Sequence, residues 1–252
     1  MTKIITGAQM QELDRRAIGE ARIPGRVLME RAGAGLVACL EQTFGSAQGK
    51  QVITFCGKGN NGGDGFVAAR LLHRRRARVQ VFMMSPASEL SRDAAAMYRQ
   101  FLRIAGKSAV HLYTSKSHMS SVLRESDLII DALLGTGLSS DVTGRYADAI
   151  DSINESGHPV VSADLPSGLH ADTGAILGRA VRASLTVTFG LPKLGLYQHQ
   201  GIDLAGSVDL VDIGIPAAYI EAIRSHTTLM TPASIRATLP ARRPASHKGT
   251  FG

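Results

Sequence analysis

The pattern of apolar and polar positions divides the chain into alternating helices and strands. Near the N-terminus, Thr6 and Gln9 make a capping-box pattern, which predicts a helix to about Glu20. A second helix is predicted after Pro24. Its apolar residues repeat at helical spacing: Val27, Leu28, Ala32, Leu36, Val37 and Leu40.

Short β-rich runs follow, separated by helical segments. Strands are predicted at 51–57, 78–84, 110–113, 127–131, 158–164, 184–189 and 207–213. Helices are predicted from Phe66 to Arg76, from Ser91 to Ala105 and over 144–155. The repetition of strand, loop and helix is typical of a doubly wound α/β sheet, so we predict the α/β class.

Polar, glycine-containing loops follow three of these strands, at 57–64, 131–141 and 164–168. Open α/β sheets bind their ligands at the carboxyl ends of the strands. Taken singly, each polar residue in these loops is explained as a cap or a turn residue. Their occurrence at three strand ends together predicts a binding site at that edge of the sheet.

The first loop carries the motif G-x-G-x-x-G at Gly57, Gly59 and Gly62, which is typical of dinucleotide-binding turns. Two features disfavour a conventional NAD dehydrogenase. The second strand ends in Phe-Met-Met-Ser, without the acidic residue that binds a ribose hydroxyl. Asp64 is predicted to cap the following helix, where its charge would repel a phosphate.

Oxygen-bearing side chains in the same loops indicate a different ligand. Asn60, Asn61 and Asp64 supply hard oxygen ligands and amide donors, which suit a cation or a polar molecule. Other chemistries are not supported. The eight histidines show no metal-ligand spacing such as H-E-x-x-H, and Ser167 lacks a G-x-S-x-G elbow for acyl transfer.

Composition and charge narrow the class further. The chain has 252 residues and a formal charge of +7, but its densest basic run, His73 to Arg78, lies at a predicted helix end without interleaved aromatic residues. This favours a solvated helix end or attraction of an anionic small molecule over nucleic acid. Cys39 and Cys56 are predicted to be buried free thiols, which favours a reducing compartment. No signal peptide or membrane span is evident, so we expect a soluble cytoplasmic protein.

Four stretches carry a resemblance to a known family. GKGNNGGDGFVAARLL, DALLGTGL, SADLPSGLHADTG and VTFGLPKLGLY together resemble the YjeF N-terminal family, the NAD(P)H-hydrate epimerases, in the right order across residues 5–225. The final HKGTFG resembles the beginning of the ribokinase-like, ADP-dependent NAD(P)H-hydrate dehydratase to which bacterial members are commonly fused. The resemblance implies an epimerase domain at 1–228, and a linker with the start of a truncated dehydratase domain at 229–252.

For the fold, the resemblance implies a three-layer αβα Rossmann-like arrangement with a mostly parallel central sheet and N-terminal helices. It implies a homodimer or higher homo-oligomer, for which the helical segment 6–44 is the candidate surface. The implied substrates are the hydrates NADHX and NADPHX, whose R and S forms the enzyme interconverts. The implied cofactor is a potassium ion, and the implied partner is a dehydratase, fused or separate.

The resemblance also implies roles for individual residues. Hydrate binding falls on Asn60, Asn61, Gly62, Gly63 and Asp64. Nucleotide binding falls on Gly135, Thr136, Gly137, Leu138, Ser139, Ser140 and Asp141. Potassium ligation falls on Asn61, Asp131 and Ser167. Asp164 would contact the hydrated nicotinamide, and Lys193 would lie near the ligand.

Asp164 is the predicted catalytic residue. The hydrate carries a hydroxyl at C6 of the dihydropyridine ring, and one carboxyl group that alternates between acid and base can release and return it. From the residues alone, a turn carboxylate before Pro166 is the favoured explanation of Asp164. Two further hypotheses remain: an NAD(P)-dependent oxidoreductase, and a nucleotide-binding or protein-interaction module without catalysis.

Overall fold

A parallel sheet of seven strands forms the centre of the protein. The structure is a computed structural model that describes residues 2–230 and 232–239. The strands are β1 (Thr2–Ile4), β2 (Gln51–Cys56), β3 (Arg78–Met83), β4 (Val110–Leu112), β5 (Leu128–Ala132), β6 (Val160–Ala163), β7 (Leu185–Phe189), β8 (Ser207–Val211) and β9 (Thr227–Leu229). The central sheet has the order β4-β3-β2-β5-β6-β7-β8, and β1 pairs with β9 in a separate antiparallel sheet.

Helices cover both faces of the central sheet. They are α1 (Gly7–Gly19), α2 (Gly25–Phe44), α3 (Asn60–Arg74), α4 (Arg92–Ala105), α5 (Lys116–Leu123), α6 (Gly144–Glu155), α7 (Gly201–Leu204), α8 (Ala217–Ala222) and α9 (Pro232–Thr238). One apolar core joins α2, α3 and α4 to one face, and a second joins α5 and α6 to the other. The predicted three-layer α/β fold with a mostly parallel sheet is therefore confirmed.

The strand order places a topological switch point between β2 and β5. From β2 the chain adds β3 and β4 on one side, then returns to add β5 to β8 on the other. Loops that leave β2 and β5 therefore diverge to opposite faces, which opens a crevice at the carboxyl ends of these strands. β6 lies next to β5, so the three predicted polar loops follow three adjacent strands.

α3, the helix that follows β2, is longer than predicted, and its length corrects the predicted capping role of Asp64. α3 starts at Asn60 rather than Phe66, with Gly59 as an extended N-cap. Asp64 is thus inside the helix and does not cap it. A Cβ on Gly63 would lie 2.4 Å from the Met29 sulfur, so glycine here allows close packing that outweighs its poor helix propensity.

Other local predictions are confirmed or extended. Thr6 and Gln9 form the capping box of α1, and Ser91 caps α4. The prediction missed α5, whose serine-rich sequence has weak helix propensity, and the β1–β9 pair, whose partners are far apart in sequence. Cys56 is buried as predicted, whereas Cys39 is only partly buried.

The C-terminal segment bears on the predicted domain boundary. β9 spans residue 228, and Leu229 pairs with Thr2, so the small sheet continues one residue past that boundary. Of the predicted linker and dehydratase start, Thr231 and residues 240–252 lie outside the described residues. Within the described ranges, no helix has the length and apolar character needed to cross a bilayer.

Candidate active site

The loops after β2, β5 and β6 meet at one cleft of about 730 Å³. The structure brings most of the predicted site residues to its wall: Asn60, Asn61, Asp64, Gly135, Thr136, Gly137, Leu138, Ser139, Ser140, Asp164 and Lys193. Gly62 and Gly63 are buried within α3, while Asp141 is exposed outside the cleft lining. Asp131 and Ser167 are fully buried and lie outside that lining as well.

Two glycines let the first loop approach its neighbours. A Cβ on Gly57 would lie 1.8 Å from the Leu133 carbonyl oxygen, and one on Gly62 would lie 1.9 Å from that of Gly57. Among residues 2–230 and 232–239, nothing lies within 4 Å of the corresponding position at Gly59. The motif therefore needs glycine at its first and third positions because backbone meets backbone there, which brings the loops after β2 and β5 together.

The buried carboxylate of Asp131 links two of the loops that form the cleft. Its carboxylate accepts hydrogen bonds from the Ser162 hydroxyl and the Ser167 N–H, both at 2.8 Å, and from the Ser167 hydroxyl. The Leu133 N–H donates at 3.3 Å. Burial raises the pKa of Asp131, and the hydrogen bonds from Ser167 oppose that rise. The group thus fixes the loops after β5 and β6 to each other.

Asn61 presents an unpaired oxygen at the centre of these loops. Its Nδ2 donates to the Leu134 carbonyl at 2.9 Å, and the Leu134 N–H donates to the Ser167 hydroxyl at 2.9 Å. Asn61 Oδ1 is buried and has no hydrogen-bond partner in the described part of the chain. A buried acceptor without a donor costs free energy, which indicates a position for a bound cation or donor.

Asp164 is held by a buried lysine that the sequence left without a defined role. Lys193 is 0% exposed, and its Nζ donates to Asp164 Oδ1, to Thr188 Oγ1 at 3.2 Å and to the Phe189 carbonyl at 2.8 Å. The Phe189 N–H also donates to Asp164 Oδ1, at 3.1 Å. Asp164 Oδ2 has no hydrogen bond among residues 2–230 and 232–239, and the residue lines the cleft. One carboxylate oxygen is therefore anchored and the other is free to act.

The backbone at Asp164 is also unusual. Its φ is +66°, a left-handed conformation that non-glycine residues rarely adopt. Such conformations persist where surrounding contacts impose them and are concentrated at functional sites. Here those contacts are the hydrogen bonds that Oδ1 receives from Lys193, Thr188 and Phe189.

The N-terminal helices complete the cleft, which the sequence analysis did not predict. α1 contributes Met10, Gln11, Asp14 and Ile18, and α2 contributes Gly25, Leu28, Met29 and Ala32. Burial raises the pKa of Asp14 to about 6; Lys193 opposes this rise and Asp164 adds to it. Burial, with Asp164 and Asp14, raises the pKa of Asp64 well above its usual range. In the sequence, Asp14 beside the apolar positions of α1 was the signal that could have indicated this contribution to the cleft.

Comparison with known proteins places this geometry in a family. Residues 25–195 match the family described as YjeF-related protein N-terminus. The chain belongs to this YjeF N-terminal family. The match includes the loops after β2, β5 and β6, together with Asp164 and Lys193.

Two relatives show how the family is built. The chain is 40% identical over 253 residues to the bifunctional NAD(P)H-hydrate repair enzyme Nnr of Moorella thermoacetica, covering 99% of this chain and 47% of that protein. It is 38% identical over 216 residues to the NAD(P)H-hydrate epimerase of Oenococcus oeni, covering 85% of this chain and 99% of that protein. The chain thus spans about half the length of the bifunctional relative.

A solved structure has a similar fold. The yeast protein ynu0 aligns with a TM-score of 0.66 at 24% identity, covering 77% of this chain and 82% of the yeast chain. At this level of identity the likeness concerns the fold alone. It agrees with the three layers described above.

Proposed function

We propose that this chain is an NAD(P)H-hydrate epimerase, an isomerase that interconverts the R and S forms of hydrated NADH and NADPH. The observation that carries the proposal is the carboxylate of Asp164, a residue that lines the cleft, with Oδ1 fixed by Lys193 and Oδ2 without a hydrogen bond in the described part of the chain. The full-length match to the Oenococcus protein, which bears that name, supports the same activity.

The chemistry requires a carbon–oxygen bond at C6 of the ring to break and re-form. The ring nitrogen supplies the electron pair that expels the hydroxyl, and a carboxylic acid protonates the departing oxygen. The cationic ring is stabilised by nearby carboxylate charge. We propose that Asp164 Oδ2 holds and returns that proton, because Asp164 lines the cleft and three donors immobilise its Oδ1.

Other features of the cleft suit a nucleotide. The N–H groups of Asn60 and Asn61 begin α3 without intrahelical acceptors, and helix N-termini favour phosphate. Apolar side chains of Met10, Leu28 and Met29 cover the other wall, where they limit water around the ring. We propose that the loop 135–141 holds the nucleotide portion.

A potassium ion fits the loops around Asn61. Monovalent cations in proteins are held by amide, hydroxyl and carbonyl oxygens that replace their hydration shell. Asn61 Oδ1 is an unpaired oxygen, Ser167 is linked to it through Leu134, and Asp131 supplies negative charge beneath. When bound, the ion would add positive charge at the junction of the three loops. No cluster of three or more His, Cys, Asp or Glu side chains in the described ranges suits a metal, so amide and hydroxyl oxygens would carry the binding.

Potassium should therefore stabilise the protein through Asn61. Replacing tetramethylammonium chloride by potassium chloride at constant ionic strength should raise the melting temperature of the wild type, since a ligand that binds only the folded state stabilises by about 2.7 kcal/mol at 100 Kd. Asn61→Ala should lose this rise. Asn60→Ala is the control, because Asn60 is exposed and its Oδ1 accepts from Ser91 at 3.1 Å. An equal rise in Asn61→Ala would refute the assignment.

The proposed activity is tested with purified R-NADHX and a dehydratase that consumes only the S form. Absorbance then follows the recovery of NADH. Addition of this chain should accelerate recovery above the spontaneous rate of epimerisation. An unchanged rate, with nucleotide binding intact, would favour a binding module over an enzyme.

After β3, Met84 and Ser85 still stand where an oxidoreductase would place its ribose-binding acid, which disfavours that hypothesis.

We propose a dehydratase partner, fused or separate, because the Moorella relative is bifunctional and about twice as long. A homodimer and a cytoplasmic location remain proposals as well.

A further inference from the structure

Epimerisation poses a geometric problem that Asp164 alone does not solve. Its product carries the hydroxyl on the opposite face of the ring from the substrate, so proton transfer is needed on both faces. Asp164 Oδ1 is fixed by Lys193, Thr188 and the Phe189 N–H. A carboxylate tethered in this way reaches one face of a bound ring.

Asp14 is a second carboxyl group in the same cleft, and it comes from a different layer of the fold. It lies on α1 between Met10 and Ile18, at spacings of one helical turn, and all three residues line the cleft. α1 is fixed beside the Lys193 segment, because the Ile5 N–H donates to the Pro192 carbonyl and the Leu194 N–H to the Ile5 carbonyl, both at 2.9 Å.

The local charges leave Asp14 available for proton transfer. It is partly buried, and its carboxyl group has no hydrogen bond or ion pair in the described part of the chain. The charged groups that face it are Lys193, Asp164 and Asp64. Lys193 is already bound to Asp164, so Asp14 lies near that ammonium without being paired to it. A carboxyl group with a pKa of about 6 can both give and take a proton near neutral pH.

Resting on the epimerase function proposed above, we propose that Asp14 is a second acid–base residue that serves the ring face opposite Asp164. In one direction, protonated Asp14 gives its proton to the C6 hydroxyl, the carbon–oxygen bond breaks, and the ring nitrogen lone pair forms a carbon–nitrogen double bond. Water then attacks C6 from the other face, its electron pair closes the new bond, and Asp164 takes the released proton. The reverse direction exchanges the two roles.

Oxygen exchange separates this arrangement from a single-residue mechanism. The assay incubates each hydrate epimer in H₂¹⁸O with the wild type, Asp14→Asn or Asp14→Glu, and measures both label uptake and inversion. We expect Asp14→Asn to slow inversion by about 10²-fold or more. One epimer, whose hydroxyl faces Asp164, should still take up label with retained configuration. Asp14→Glu should recover part of the inversion rate.

The matched control removes a carboxylate from the exposed side of the same helix. Glu12 pairs with Arg15 at 2.7 Å and its side chain is 45% exposed, so Glu12→Gln should invert the hydrate at the wild-type rate. Circular dichroism and NAD⁺ binding of Asp14→Asn establish that the fold and the cleft persist. If this variant is unfolded, Asp14→Glu is tested instead. Its inversion should be slower than that of the wild type, and its uptake of ¹⁸O should be faster than its inversion.

The pH profile supplies an independent readout. Asp14 and Asp164 act together when the two carboxyl groups share one proton. The inversion rate of the wild type should therefore fall as the pH rises above about 6, where Asp14 ionises. This limb should disappear in Asp14→Asn, and a limb that remains unchanged there would contradict the role of Asp14. Inversion by Asp14→Asn at the wild-type rate would overturn the role of Asp14 and leave the epimerase function intact. A wild type that neither inverts nor exchanges either epimer would remove both proposals.

Discussion

Replacing Asp164 with asparagine is expected to slow epimerisation by about 10²–10⁴-fold, the usual contribution of a positioned acid–base group. Asparagine keeps the shape of the side chain and can still accept a hydrogen bond from Lys193, but it does not exchange a proton with the C6 hydroxyl. The coupled dehydratase assay measures the rate. Binding of intact NAD⁺ should change only a few-fold, because Asp164 acts on the ring rather than on the phosphates.

A control variant removes a carboxylate elsewhere. Asp151 lies on α6 and pairs with Arg179 at 3.3 Å, in a groove separate from the cleft. Asp151→Asn should epimerise the hydrate at the wild-type rate. If Asp164→Asn were as active as this control, the catalytic assignment of Asp164 would be wrong, and its left-handed backbone would need a structural explanation.

Replacing Lys193 with methionine is expected to give the largest loss of stability. Lys193 is 0% exposed and Asp164 is 13% exposed, so the change leaves a nearly buried carboxylate without its cation. Breaking a buried pair from one side costs roughly 3–5 kcal/mol, and the small exposure of Asp164 to the cleft favours the lower end. For a domain of this size, about 3 kcal/mol lowers the melting temperature by roughly 6–12 °C. Thermal unfolding followed by circular dichroism measures it.

A double-mutant cycle assigns the loss to the pair. Asp164→Asn combined with Lys193→Met removes both charges and should be more stable than Lys193→Met alone, yet it should remain inactive. Lys116→Met is the surface control, because Lys116 and Glu155 form a pair whose side chains are 40% and 61% exposed. Such exposed pairs contribute about 0–1 kcal/mol. Equal destabilisation by Lys193→Met and Lys116→Met would show that the buried pair is not a major source of stability.

The sequence by itself predicted the seven strands of the central sheet and the edge of that sheet at which the cleft lies. Some signals act between near neighbours and can therefore be recognised in the sequence: the caps at Thr6 and Ser91, the helical spacing in α2 and the β-rich runs. The meeting of the polar loops could also be predicted, because parallel strands bring their carboxyl ends to one edge. Asp164 could be proposed as the catalytic residue, although only through a family resemblance.

Tertiary structure alone decided which side chains meet at the cleft. Lys193 meets Asp164 across 29 residues, and the pairing depends on Ile5 holding the lysine segment, a contact that no local pattern encodes. The start of α3 at Asn60 depends on close packing of Gly63 against Met29, which outweighs helix propensity and moves Asp64 from a cap into the helix. Asp14 enters the cleft because α1 closes over the sheet edge. Long-range packing sets these positions, since it alone determines which buried charges and unpaired oxygens share one space.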